Sequence, residues 1–151
     1  MKISNTGKDL IKHFESLKLK SYQDSVGVWT IGYGHTKGVK KGMIATEKEA
    51  NAMFEHELEE YQGYIEGLDI EFTQDQFDAL TSWVYNLGPA NLVSSTLLKR
   101  LKSRDFWDVP NQIMRWNMAG GNALLGLSRR RAAEALLFES KNWKNYKNIS
   151  G

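Results

Sequence analysis

Strand-like sequence in this chain is confined to one segment, Lys18 to Thr36, and this confinement constrains the fold more than any other feature. In KLKSYQDSVGVWTIGYGHT, Tyr22, Val26, Val28, Trp29, Ile31 and Tyr33 favour extended backbone. Asp24-Ser25 and Gly27 favour turns, and Gly32 and Gly34 allow tight bends. The pattern predicts a small antiparallel sheet of two or three short strands, the only β signal in the chain. Ahead of it, a helix starts near Asn5 or Thr6, presents Leu10, Ile11 and Phe14 on one face and ends at Glu15. Behind it, from Thr46 onward, the pattern is helical to the end.

Thr46-Glu47-Lys48-Glu49 is a capping box. Ala50, Met53, Phe54, Leu58, Tyr61 and Ile65 follow along one helix face opposite a glutamate-rich one. A helix of about 20 residues spans roughly 30 Å, long enough to connect two lobes. Thr73-Gln74-Asp75-Gln76 opens a second capped helix through Phe77, Leu80, Val84 and Leu87, which Gly88-Pro89 stops. Shorter helices are expected at 94–102 and 107–117. Gly120-Gly121 and Gly126 mark a loop before a helix from Ser128 to Ser140, with Ala132, Ala135, Leu136 and Phe138 apolar. No repeat and no linker divides the 151 residues, so one domain folded as two lobes is expected.

Several classes of chemistry are excluded at this stage. With no cysteine there is no disulfide scaffold, thiolate metal site or thiol nucleophile. His13, His35 and His56 show no H-x-x-x-H spacing, so no metal is expected. The start, MKISNTGKDLIKHF, lacks the apolar core of a signal peptide, and no run approaches the ~18 apolar residues of a membrane span. A cytoplasmic chain without a stable membrane anchor is expected, one that needs another protein for release if it works elsewhere. Net charge is +2, unevenly placed: residues 1–90 carry 9 Lys/Arg against 14 Asp/Glu, residues 91–151 carry 11 against 4. The basic half suggests an anionic partner or a solvated surface. The small net charge and the acidic long helix oppose nucleic acid.

The polar residues between 15 and 36 can carry chemistry. Glu15 ends a helix, Asp24 sits at the sheet turn, and Thr30 lies on the strand after that turn. Glycosidic cleavage needs one carboxyl that arrives protonated to serve the leaving oxygen. It needs another that stays ionised to hold water or stabilise the sugar cation. Spacing alone leaves the bland reading open, since acids at helix ends and in turns are common on surfaces.

Glu15, eight residues, Asp24, five residues, Thr30 resembles the signature of phage-type lysozymes, glycoside hydrolase family 24. V-W-T-I-G-Y-G-H-T around Thr30, T-E-K-E-A, F-D-A-L with Y-N-L-G, S-T-L-L and G-L-S-R-R-R-A-A-E resemble further family segments, from about Ile3 to Phe138. The resemblance implies an α+β, lysozyme-like fold. A small N-terminal antiparallel sheet lobe (about 15–45) and a larger helical C-terminal lobe (about 70–145, with the N-terminal helix) are joined by a long helix (about 46–66). It implies an endolysin that hydrolyses the β-1,4 bond between N-acetylmuramic acid and N-acetylglucosamine in peptidoglycan. Glu15 matches the general acid, and Asp24 and Thr30 match groups that hold the attacking water. Gly34, His35 and Thr36 match the edge of a sugar cleft, and Tyr85 and Thr96 match cleft positions in the second lobe. Glu57 aligns with an acidic partner of His35, a pair expected to raise the histidine pKa.

The same resemblance implies no cofactor, a monomer, and release from the host cytoplasm to the wall by a holin or another route. Trp83, Trp107, Trp116 and Trp143 are expected in the core, whereas Trp29 fits core or cleft. Arg129-Arg130-Arg131 fits a structural role better than contact with phosphate or wall polymer. Two rivals remain: a lytic transglycosylase, to which a water-holding pair is superfluous, and a cationic protein that lyses without catalysis.

Overall fold

The computed structural model describes residues 1–119 and 121–148. The chain divides into two compact units, residues 11–60 and residues 1–10 with 61 onward. It is an α+β protein, mostly helical, with a small two-stranded sheet near the N-terminus.

In the unit of residues 11–60, the C-terminal turns of α1 (Asn5–Glu15) lead into β1 (Lys18–Gln23) and β2 (Trp29–Gly32). The strands pair antiparallel in the register Tyr22↔Thr30 and Gln23↔Trp29, with an irregularity between Lys18 and Tyr22. No full third strand forms. Residue Ile44 makes only a single bridge to Lys20, flanked by backbone bonds from Ser21 N to Met43 O and from Ala45 N to Leu19 O. Helix α2 (Glu47–Glu66) opens on the expected box: Glu49 N donates to Thr46 Oγ1 at 3.1 Å, and Thr46 N donates to Glu49 Oε1 at 3.0 Å. Gly32 ends β2 with a left-handed backbone (φ 67°), and a Cβ there would meet that of Ala50 on this helix in ordinary contact at 3.6 Å. Tyr33 and Phe54 pack ring to ring at 5.2 Å under the Lys12 ammonium. Ile11, Ile31, Ala50, Phe54 and Leu58 are buried in this unit.

The other unit is helical. Asp78 on α3 (Gln74–Leu87) is buried and accepts from Ser4 N, Ser4 Oγ and Gln74 Nε2, tying the N-terminal segment down. The helix expected at 94–102 forms as α5 (Thr96–Lys102), and a helix not read from sequence, α4 (Pro89–Ser94), precedes it. They split at Ser95, whose extended backbone and hydroxyl cap the second by accepting from Leu98 N at 3.0 Å. The helix 107–117 shortens to a 3-10 turn, Phe106–Asp108, and α6 (Val109–Met114), with Pro110 in the first turn, where it costs no hydrogen bond. The loop after it holds a second β pair, β3 (Met118–Ala119) with β4 (Asn122–Ala123), so the first sheet is not the only one. Gly120, read as part of that loop, lies outside the described residues. Helix α7 (Leu125–Phe138) starts three residues earlier than expected and takes in Gly126, because the Ser128 amide already bonds to the Leu124 carbonyl. Helix α7 packs on α3, on α6 and on a final 3-10 segment, Trp143–Asn148.

Trp83 and Trp143 are buried, and Trp116 lies half-buried, edge-on to Trp83. Trp107 departs from expectation at 78% exposed. The single 3-10 turn explains it: Phe106 points inward against Phe72 and Phe138, and Asp108 is bound to Arg100 and Gln112. Only the outward direction is left for the residue between. The arginine run also divides. Arg129 is exposed, while Arg130 and Arg131 are buried with Glu134.

Candidate active site

Three backbone devices place the polar groups of the 11–60 unit. Helix α1 ends at Glu15 because Ser16 adopts a left-handed backbone (φ 59°). The carboxylate lies against Gly34: a Cβ at that position would stand 2.9 Å from Glu15 Oε1. Gly34 itself has φ 84°, so backbone conformation and close approach both call for glycine.

The turn between β1 and β2 is built on Asp24. Its Oδ1 accepts from the amides of Val26 (3.0 Å) and Val28 (2.8 Å), its own amide donates to Val28 O, and Gly27 (φ 88°) closes the turn by donating to Asp24 O. The aspartate therefore does turn chemistry through one oxygen. Asp24 Oδ2 is left for other work. Thr30, buried on β2, donates its hydroxyl proton to Val28 O at 3.0 Å, so its oxygen keeps lone pairs that can only accept.

Tyr22 joins this group, although the strand pattern marks it only as a β-former. It is paired across the sheet with Thr30 and stands two residues before Asp24. Its phenol is held above its ordinary pKa of 10.0, first by burial, then by the negative charges of Glu15 and Asp24. A period-two reading of the strand would have put Tyr22 and Asp24 on one face.

His35 follows Gly34 and closes a reciprocal backbone pair with Ile31. Its Nδ1 meets Glu57 on α2, the partner the resemblance implies. The expected rise in pKa does not follow: burial comes first and holds the imidazole below its ordinary 6.5, and His56 and Lys37 add to the lowering. The Lys37 backbone opposes them. A neutral imidazole in its Nδ1–H tautomer satisfies the Glu57 bond without the charge that burial disfavours. With a folded-state pKa below the unfolded one, His35 stabilises the fold fully above about pH 6.5, and that part is lost as pH falls through the lowered pKa. Melting temperature against pH should therefore decline on the acid side, and His35→Gln should flatten that decline.

Thr36 is exposed just beyond His35. Tyr85 and Thr96 belong to the other unit. Tyr85 is buried on α3 with its ring 5.0 Å from Tyr61, and Thr96 is the half-buried first residue of α5. Among the described residues, no three His, Cys, Asp or Glu side chains gather as a metal site, and no helix is long and apolar enough to cross a membrane.

One compact unit of the chain thus holds a carboxylate at a helix end, a turn-bound aspartate and a strand threonine. The model of the phage lysozyme family matches residues 12–134, and the chain belongs to that family. It is a glycoside hydrolase of the lysozyme type.

Among its relatives, an endolysin of Acyrthosiphon pisum secondary endosymbiont phage 1 is 39% identical over 145 residues, covering 93% of this chain and 99% of that protein. An endolysin of Bacillus phage B103 is 40% identical over 149 residues, 94% of this chain but 57% of that longer protein. Among solved structures, an endolysin from Escherichia coli O157:H7 phage FAHEc1 superposes with a TM-score of 0.84 at 34% identity, covering 94% of this chain and 96% of that one. The muramidase domain of SpmX from Asticaccaulis excentricus gives 0.83 at 34%, covering 91% and 97%.

Proposed function

We propose that this chain is an endolysin that hydrolyses the β-1,4 bond between N-acetylmuramic acid and N-acetylglucosamine of bacterial peptidoglycan, lysing the host cell. Glu15 is the general acid that protonates the leaving oxygen. Asp24 and Thr30 hold the attacking water. Gly34, His35, Thr36, Tyr85 and Thr96 contact the sugar. The chain acts as one lysozyme-like domain and a monomer, held in the host cytoplasm until a holin or another route gives it access to the wall.

The observation that carries this reading is the hydrogen-bonding state of Asp24 and Thr30. Asp24 spends Oδ1 on two amides and keeps Oδ2 as an acceptor. Thr30 has given its proton to Val28 and can only accept. A water between them donates both of its protons, one to each, and turns its lone pair outward to the anomeric carbon. As the bond to the leaving group breaks, Glu15 gives up its proton to that oxygen and Asp24 takes one from the water, so charge balances. Neither Asp24 nor Thr30 bonds to the sugar, which makes the reaction inverting.

Proton NMR of the freshly cleaved glycan is expected to show the α anomer first. A product that retains β configuration overturns the roles given to Asp24 and Thr30. An anhydro-sugar product in mass spectra would instead mark a lytic transglycosylase.

Gly34→Ala supplies a second check. The new methyl needs the space of Glu15 Oε1 and forces a side chain onto φ 84°. The strain costs about 1–3 kcal/mol. Because the flexible carboxylate is what gives way, lysis should fall further than thermal stability does.

A further inference from the structure

We propose that Tyr22 is a substrate-contacting residue of this site, its phenol O–H donating to an oxygen of the sugar held between Glu15 and the Asp24–Thr30 pair. The inference rests on the proposed muramidase reading and adds a group that neither the signature nor the sugar-edge positions include. Its first support is register. Tyr22 is the direct cross-strand partner of Thr30, and side chains of paired residues lie on the same face of a sheet. Asp24, two positions on, continues that face as the strand gives way to the turn. Its second support is accessibility. Thr30 beside it is buried, whereas the Tyr22 residue is 37% exposed. Its third support is electrostatic: burial first, and then the negative charges of Glu15 and Asp24, raise the phenol above its ordinary pKa and keep it protonated. A protonated phenol is a neutral donor, and sugar hydroxyl, ring and N-acetyl oxygens are acceptors. A phenol serving only to pack the strand would need no such placement.

Tyr22→Phe keeps the ring and removes only the hydroxyl. On solubilised glycan strands it is expected to lower kcat/KM about tenfold, the worth of roughly one hydrogen bond, with an unchanged melting temperature. The independent readout is carbon NMR of protein labelled at tyrosine Cζ. Tyr22 should titrate above the other exposed tyrosines, and its pKa should drop toward 10 in both Glu15→Gln and Asp24→Asn. In Glu15→Gln, which cannot turn over, added glycan should shift the Tyr22 Cζ resonance. If Tyr22→Phe keeps the parent kcat/KM, or the Cζ signal ignores bound glycan, the phenol does not contact the sugar and this inference falls while the muramidase reading stands. If Glu15→Gln itself cleaves at the parent rate, the muramidase assignment falls first, and the two failures are told apart.

Discussion

Glu15→Gln is expected to leave a folded protein whose lysis of cell-wall suspensions is lower by at least about 10²–10⁴-fold, the usual worth of a positioned general acid. Glutamine keeps the length of the side chain that lies against Gly34, so packing at the end of α1 is preserved. What it lacks is the transferable proton. Circular dichroism and melting temperature should match the parent while turbidity clearing stops. Near-parent clearing by this variant would remove Glu15 as the acid and leave lysis to the basic surface of residues 91–151. Asp24→Asn should be milder, because an amide oxygen can still orient the water, whose proton then passes to solvent, whereas glutamine at position 15 has no proton to transfer. Thr30→Glu bears on the same geometry. A carboxylate in the water position can attack the sugar itself, so a covalent glycosyl adduct is expected in mass spectra and a shift toward retention in proton NMR.

The largest effect on stability is expected at Glu134, far in sequence from these groups. Its carboxylate is fully buried and receives Ser82 Oγ at 2.6 Å, Arg130 Nε at 3.3 Å and an Arg131 side-chain amine at 3.1 Å, while Arg131 Nε stands 2.7 Å from the other oxygen. Arg130 also donates to Ser82 O, and Arg131 to Trp116 O, so the cluster ties α7 to α3 and to the end of α6. Glu134→Ala removes the carboxylate that Arg130 and Arg131 share and leaves both buried guanidinium ions without it. Breaking a buried pair in this way costs about 3–5 kcal/mol. For a chain of this size, that corresponds to a fall in melting temperature of roughly 6–20 °C. Calorimetry is the check, and a loss under about 1 kcal/mol would show that water or repacking relieves the two arginines. Arg129→Ala, by contrast, should change little, since that side chain is exposed.

Local signals carried well where the physics is local. The capping boxes at Thr46 and Thr73 form as read, because each needs only residues three apart. The Gly88-Pro89 stop holds because φ 86° at Gly88 and the ring of Pro89 suffice to end α3. The placement of strands in Lys18–Thr36 came from side-chain shape and turn residues over four to six positions. The spacing of Glu15, Asp24 and Thr30 was also legible, as three groups on one helix end, one turn and one strand.

The remainder depended on what lies opposite each residue in space. Trp107 reads as core by its chemistry, yet the direction of one 3-10 turn sends it outward. Ser95 separates α4 from α5, since its backbone is extended and its hydroxyl caps the second helix at the Leu98 amide. Three consecutive arginines look alike in sequence, yet Arg130 and Arg131 are buried on the carboxylate of Glu134 one helical turn along while Arg129 is exposed. The fall in the His35 pKa follows from burial, and no motif reports desolvation. Caps, turns and spacing are properties of neighbouring residues, so the sequence determined them for this protein by itself. Burial, charge environment and the meeting of Tyr22, Glu15 and Asp24 were decided only by tertiary structure, because each depends on chain segments that folding alone brings together.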